Sequence, residues 1–229
     1  MPVRSDLTKL AYLIRLASQA LPVGGYAYSS CMESAISNGI VKNQMTAFRW
    51  ILDLFNQGLV TLDLPALFLA YNAWSKNEEN VVESLNEYLQ ANRETEEMLL
   101  EDLEMGKSLA RILQQIDVVR PDLSEPSFVT EFAIAGTHWQ IPVEELATGF
   151  SFNWIENQVL VVTKSLPMGQ SKAQNILDKM IPQISEGVDR AKEIAQKQER
   201  FEWEFGRSLP GVAILSAQHE YLESRLYRS

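Results

Sequence analysis

Chemistry near neutral pH needs a nucleophile beside a base, a cluster of metal ligands, or a cradle for phosphate. This sequence holds fragments of each. Gly106-Lys107-Ser108 reads like the end of a phosphate-binding loop, but the glycine such a loop needs is replaced by Glu101. Asp102 and Glu104 would also repel a nucleotide, and Lys107 reads as a solvated helix residue. Gly149-Phe150-Ser151-Phe152 begins like a nucleophile elbow, yet Asn153 takes the place of the final glycine and no strand precedes it. His138 and His219 are the only histidines and Cys31 the only cysteine. Cys31 reads as a buried structural thiol, and His138, beside Trp139, as a packed or partly exposed ring. Two distant histidines and one thiol do not form a metal cluster, and His219-Glu220 lacks the second histidine of a zinc helix. The expectation is a chain without catalytic residues, bound cofactor or resident metal: not an enzyme.

Other groupings suit binding. Glu94, Glu97, Glu101 and Glu104 recur at helical spacing and draw an acidic stripe. It reads as a solvated face, with docking to a basic partner or weak cation attraction as the alternative. Two corners stand out. In the first, Pro22, Gly24, Gly25, Tyr26 and Tyr28 lie within Leu21-Pro22-Val23-Gly24-Gly25-Tyr26-Ala27-Tyr28-Ser29. Paired glycines permit positive φ and close backbone approach, and the tyrosines offer apolar faces with polar tips. A tight interhelix turn explains the glycines equally well. The second corner is Leu166-Pro167-Met168-Gly169-Gln170, with Gln174 one helical turn later. Towards the C-terminus, Leu215, His219, Leu222 and Leu226 trace an amphipathic spacing, while Arg225 and Arg228 add positive charge to an acidic chain. That mixture suits a protein interface.

The elements that position these residues are helical. Leu7, Leu10, Ile14 and Ala17 draw one apolar stripe, ended by Pro22, Gly24 and Gly25. A short helix is expected from Ser29 to Asn38 with Gly39 as its stop, and Ser29 or Ser30 as its cap. Asn43 can cap a third helix through Phe55, stopped near Gly58, and Asp63 with Pro65 reads as a fresh start. Arg93 to Ile116 is the clearest helix, with Leu99, Leu103, Gly106, Leu109, Leu113 and Ile116 on one face. Further helices are expected over 127–139, 143–165 and from Gln170 to near Arg200. The β-branched run Val159 to Thr163 reads as buried helix within that pattern. Nothing supplies the alternating strands of a sheet.

The chain has 229 residues, of which 46% are hydrophobic, enough for a sizeable core. A net charge of -10 argues against nucleic-acid binding. One cysteine precludes an intrachain disulfide, the charged N-terminus does not read as a secretory signal, and no apolar run is long enough for a membrane span. Cytoplasm is the expected location. The predicted fold is all-α, a single-domain helical bundle of about eight to ten helices. Its helical domain covers 1–211, and an amphipathic, partner-binding tail covers 212–229.

Taken in order, these segments resemble the urease accessory protein F family. LASQALPVGGYAYSSCMESAISNGIV, including Glu33, is similar to its N-terminal signature. Asp63-Leu64-Pro65 and Arg93-Glu94-Thr95, with Gly106 and Ser108-Leu109, look like its central region. Asn157-Gln158-Val159, LPMGQ and Gln174 resemble its second signature, and His219-Glu220 with Ser224 to Ser229 its ending. Glu96 departs from a common arginine, Tyr26 and Tyr227 from phenylalanine, and Ala173 from glycine. The resemblance implies an all-α homodimer in complex with accessory protein D (called H in some organisms). That complex recruits the GTPase accessory protein G and acts on urease apoprotein in GTP-dependent nickel insertion. Scaffolding, chaperoning, modulation of the GTPase and a part in nickel cation binding or passage all remain open roles. The implied partner surfaces are Pro22 to Tyr28 with Glu33; Pro167, Gly169, Gln170 and Gln174; and the tail residues His219, Arg225, Leu226 and Arg228. The tail is expected to be mobile until bound. The alternatives are a generic helical interaction protein or a helical metal-dependent hydrolase or lyase.

Overall fold

A computed structural model describes residues 5–229. The helices are α1 (Asp6–Leu16), α2 (Met32–Ser37), α3 (Gln44–Leu54), α4 (Asp63–Ser75), α5 (Glu79–Ala91) and α6 (Glu96–Gln115). They continue with α7 (Phe128–His138), α8 (Val143–Ser165), α9 (Gln170–Gln196) and α10 (Pro210–His219). Among the described residues there is no strand, only an isolated bridge between Glu199 and Glu202. The fold is a single all-α domain, as the helical spacing predicts.

Capping and breaking residues account for many boundaries. Asn43 caps α3, accepting from the amides of Met45 and Thr46, while Thr46 reciprocates to the Asn43 amide. Pro142 precedes α8, and Pro167 with Gly169 separates it from α9. Gly39, at φ +68°, ends the turn after α2. The run from Val159 to Thr163 is helical inside α8, because it packs inward rather than pairing with a strand.

The structure corrects four local expectations. Gly58 does not stop the third helix; a π-helical segment, Phe55–Leu59, carries the chain towards α4 with Phe55 and Leu59 buried. The combined run Gln44–Ser75 is long and apolar enough to cross a membrane, but 67% of that window is buried inside the protein, as in a core helix. α2 starts later than Ser29 because Ser30 and Cys31 adopt left-handed backbone, at φ 47° and 69°. α5 forms between Glu79 and Ala91, where no helix is predicted; Val81, Val82, Leu85 and Leu89 supply its inner face. The Leu7, Leu10, Ile14 stripe of α1 faces outward, with Leu7 80% and Ile14 62% exposed. A second stripe, Tyr12, Leu13 and Leu16, makes the contact instead. Leu13 lies against Gly149 of α8, where a Cβ would stand 2.6 Å from its Cδ1, and Tyr12 stacks on Trp139 at 4.7 Å.

α4 sits at the centre, against α5, α7, α8 and α9. Leu64, Ala66, Leu67, Phe68, Ala70 and Ala73 are all buried, so this helix is apolar around its circumference. α6 and α7 meet at Gly106: a Cβ there would fall 1.9 Å from the Pro126 carbonyl oxygen, so only glycine allows the approach. Of the predicted α6 face, Gly106, Leu109 and Leu113 are buried, whereas Ile116 is exposed beyond the helix end. Asp102 anchors the same junction, accepting from the Phe128 amide and the Ser127 hydroxyl, both at 3.0 Å. Arg93 bridges Asp102 to Asp63 at 3.3 and 2.7 Å. The pair of carboxylates balances a guanidinium that is almost out of solvent.

Candidate partner-binding site

The first corner, Glu33, the middle of α6 and the C-terminal segment form one cluster. Gly24, at φ +81°, turns the chain into a single 3-10 turn, Gly25–Ala27. Ser29 then supplies the cap for α2 at one remove, its hydroxyl accepting from the Glu33 amide at 3.1 Å. α8 holds the corner from below. Asn157 Nδ2 donates to the carbonyls of Gly25 and Tyr28, and Gln158 Nε2 donates to that of Ser29 at 3.0 Å. Two adjacent amides thus satisfy an irregular backbone that no helix or sheet could serve.

The C-terminal segment closes the cluster. α10 packs on α2 and α6, and its last residue, His219, is 0% exposed. The ring lies between two carboxylates: Nδ1 is 2.9 Å from Glu97 and Nε2 is 3.1 Å from Glu33. Glu33 also accepts from the Leu226 and Tyr227 amides at 2.8 and 3.0 Å. Arg225 reaches Glu97 at 3.2 Å. Further along, the Arg228 amide donates to the Ala27 carbonyl, and the Ser229 carbonyl accepts from the Ser29 amide and hydroxyl. Glu101 takes hydroxyl donors from Ser30 at 2.7 Å and Ser229 at 2.6 Å.

This arrangement overturns the solvated reading for Glu97 and Glu101 of the acidic stripe. Glu97 is buried, Glu101 is largely covered, and Glu94 accepts from Ser208 and the Leu209 amide. Glu94 and Glu104 keep the exposed character predicted for all four. The basic partner of the stripe includes the chain's own His219 and Arg225. The segment expected to be mobile is docked in the structure.

Electrostatics agree with a closed cluster. Burial raises the Glu101 carboxyl above its usual range, against the opposing pull of the Ser229 and Ser30 hydroxyls. Burial pushes the Cys31 thiol up to about 12, with Glu101 adding to it, so it is a neutral structural group and not a nucleophile. Burial also raises the Tyr28 phenol, which Arg228 partly offsets. Beside the cluster a cavity of about 190 Å³ is lined in part by Gly25, Ser30, Met98, Glu101, Met105 and Val212. Among the described residues no group of three or more His, Cys, Asp or Glu could hold a metal ion.

The surface over this cluster is what a partner would meet. Pro22 and Tyr26 are exposed at the corner, Gly24 and Gly25 are half-buried, and Tyr28 is buried. Arg225, Arg228 and Leu226 are exposed, Leu226 at 71%. The second corner follows Ser165, which lies near the Tyr227 phenol of the tail. Pro167, Gly169, Gln170 and Gln174 are exposed between α8 and α9, and no hydrogen bond among the described residues joins them to the tail cluster. Glu97, Glu101, Asn157, Gln158, Ser29 and Ser30 hold the site together but are absent from the predicted partner-binding set. One signal could have found two of them: Asn157 and Gln158 interrupt the apolar run of α8.

The chain as a whole matches known proteins. The UreF family model matches residues 41–181, more than half of the chain. The chain belongs to the UreF family of urease accessory proteins. It is 41% identical over 223 residues to a urease accessory protein UreF of Hahella chejuensis, covering 96% of this chain and 98% of that one. A UreF of Marinomonas sp. is 40% identical, with 99% of this chain and 96% of the relative covered. One of Teredinibacter turnerae is 39% identical, with 96% and 99% covered. The corner and the C-terminal segment lie outside residues 41–181, but the similarity to the Marinomonas relative covers 99% of this chain.

Proposed function

We propose that the chain is a non-enzymatic scaffold and chaperone of urease maturation. It acts in the cytoplasm as a homodimer, with accessory protein D (or H) and the GTPase accessory protein G, to promote GTP-dependent nickel insertion into urease apoprotein. The observation that carries this reading is the near-full-length similarity to proteins named as urease accessory proteins. The site adds physical support. Its histidine has both ring nitrogens committed to carboxylates, and its thiol is buried and neutral, so neither is poised for catalysis. What it presents outward is a shaped surface of Pro22, Tyr26, Leu226 and two arginines, the composition of a protein interface. GTP and nickel belong in this reading to the partners or to the assembled complex, and the second corner is a further docking surface.

The test is to mix the purified chain with accessory proteins D and G and urease apoprotein, and to read complex formation by size-resolved light scattering. Leu226→Asp changes an exposed side chain whose own backbone amide stays bonded to Glu33. Loss of assembly in that variant, with wild-type helicity, locates the accessory protein D contact on the tail. Assembly that is insensitive to it moves the interface to the α8–α9 corner. No assembly by the wild-type chain overturns the urease reading in favour of another protein partner.

A further inference from the structure

His219 is the titratable centre of the tail cluster. A neutral imidazole has one donor nitrogen and one acceptor nitrogen. Here both nitrogens face carboxylates, Glu97 of α6 and Glu33 of α2, at 2.9 and 3.1 Å. A neutral ring would set a lone pair against a carboxylate in a site closed to water, whereas a doubly protonated ring donates to both. The formal charges then balance: Glu33 and Glu97 against His219 and Arg225. We propose that the His219 imidazolium is a pH-sensitive latch that holds segment 220–229 against α2 and α6.

The other groups around the ring do not share this role. Cys31, at the start of α2, is held neutral by burial, with its thiol pushed up to about 12. Burial and then Glu33 raise the Tyr227 phenol, so it too stays neutral. Glu101, one turn along α6, is committed to Ser30 and Ser229. Arg228 lies by Tyr28 on the far side of the corner. Histidine is the side chain whose charge changes near neutral pH. Glu33 transmits the change, because the oxygens that face or flank the ring also accept the Leu226 and Tyr227 amides. Removing a ring proton leaves a buried carboxylate opposed by a lone pair and loosens the bonds that dock the tail. Docking is therefore linked to proton uptake by His219: it is strongest with the ring charged and weakens as the pH rises. The latch does not depend on which partner the chain binds.

The experiment uses the full chain with nitrogen-15 in its two histidines. His138→Gln assigns the two ring signals. The ring nitrogen shifts report the protonation of His219, and hydrogen exchange, corrected for the intrinsic pH dependence, reports the Leu226 and Tyr227 amides. Both His219 nitrogens are expected to carry protons while the tail is docked. Protection of the two amides is expected to fall as the ring loses a proton, by up to about tenfold per pH unit. In His219→Gln, which cannot titrate, the corrected protection is expected to be lower and flat with pH. A singly protonated His219 ring in the docked state, with a glutamic acid holding the proton instead, overturns the proposal. So does the same pH slope in His219→Gln. If that variant fails to fold by circular dichroism, the wild-type ring shifts still decide.

Discussion

Replacing Glu33 by alanine would strand three donors at once: the His219 ring and the amides of Leu226 and Tyr227. Each buried group left without a partner costs about 1–3 kcal/mol. Part of that cost is avoided if the tail swings into water and is solvated there. Glu33→Ala is therefore expected to lower stability by about 2–4 kcal/mol in urea unfolding, with loss of exchange protection confined largely to the tail. A change under about 0.5 kcal/mol would mean that the docked arrangement carries little weight. Glu101 behaves differently. Its carboxyl is raised by burial, so its folded value lies above its unfolded one. Such a group favours the fold when protonated, and that contribution is lost as the pH rises through the folded value. Glu101→Gln should match the wild type in acid and gain on it as the pH rises through that value, read from urea midpoints over a pH series. A variant that falls behind instead would assign Glu101's charge a net favourable role with Ser30 and Ser229.

At the scale of elements, two glycines separate close packing from helix propensity. Gly106 sits where α6 meets the chain entering α7, and a Cβ would overlap the Pro126 carbonyl. Backbone cannot give way as a side-chain tip can, so Gly106→Ala is expected to cost about 3 kcal/mol or more, or to prevent folding. Gly211, in the first turn of α10, has nothing within 4 Å of its would-be Cβ. There alanine removes chain entropy from the unfolded state and is expected to stabilise by about 0.4–1 kcal/mol. Thermal melts of the two variants test the pair together. Gly25 lies between these cases. Its would-be Cβ stands 3.2 Å from the Met105 Cε, the end of a flexible side chain, so Gly25→Ala should retain wild-type helicity by circular dichroism. Gly25→Arg places a long cation over the same corner and is the more direct probe of partner approach.

Across the whole molecule, one apolar cluster runs from Leu16 to Tyr227 and includes residues of every helix. A shared core predicts a single cooperative melt for the main body. The tail is held mostly by polar bonds, with Tyr227 and Ser229 buried among its exposed residues. Its amides should open at lower free energy than those of α4, in hydrogen exchange at fixed pH. Two well-separated heat-absorption peaks in calorimetry would contradict the shared core. Equal protection of the tail and α4 would contradict a separately opening segment.

Most helices were legible because their signals are local. The Asn43 cap, the Pro142 and Pro167 breaks, and the apolar spacing of α6 to α9 each act within a few residues. The family resemblance was legible for a related reason, since it rests on short motifs kept in order along the chain. Local signals also misled. α1 carries two apolar stripes, and the glycine in α8 that receives Leu13 chose between them. The π-helical segment at Gly58 exists because Phe55 and Leu59 gain burial on both sides of the expected stop. For the acidic stripe, helical spacing reveals a face but not what covers it. Its cover comes from residues far away in sequence: His219 is 122 positions from Glu97 and 186 from Glu33. Whether a carboxylate is stable away from water depends on the donors brought to it, and no pattern within one helix contains that information. The sequence by itself determined a helical chain of this family and the residues available for binding. Only the tertiary structure decided that Glu33, Glu97 and His219 meet, because their burial is stable only together.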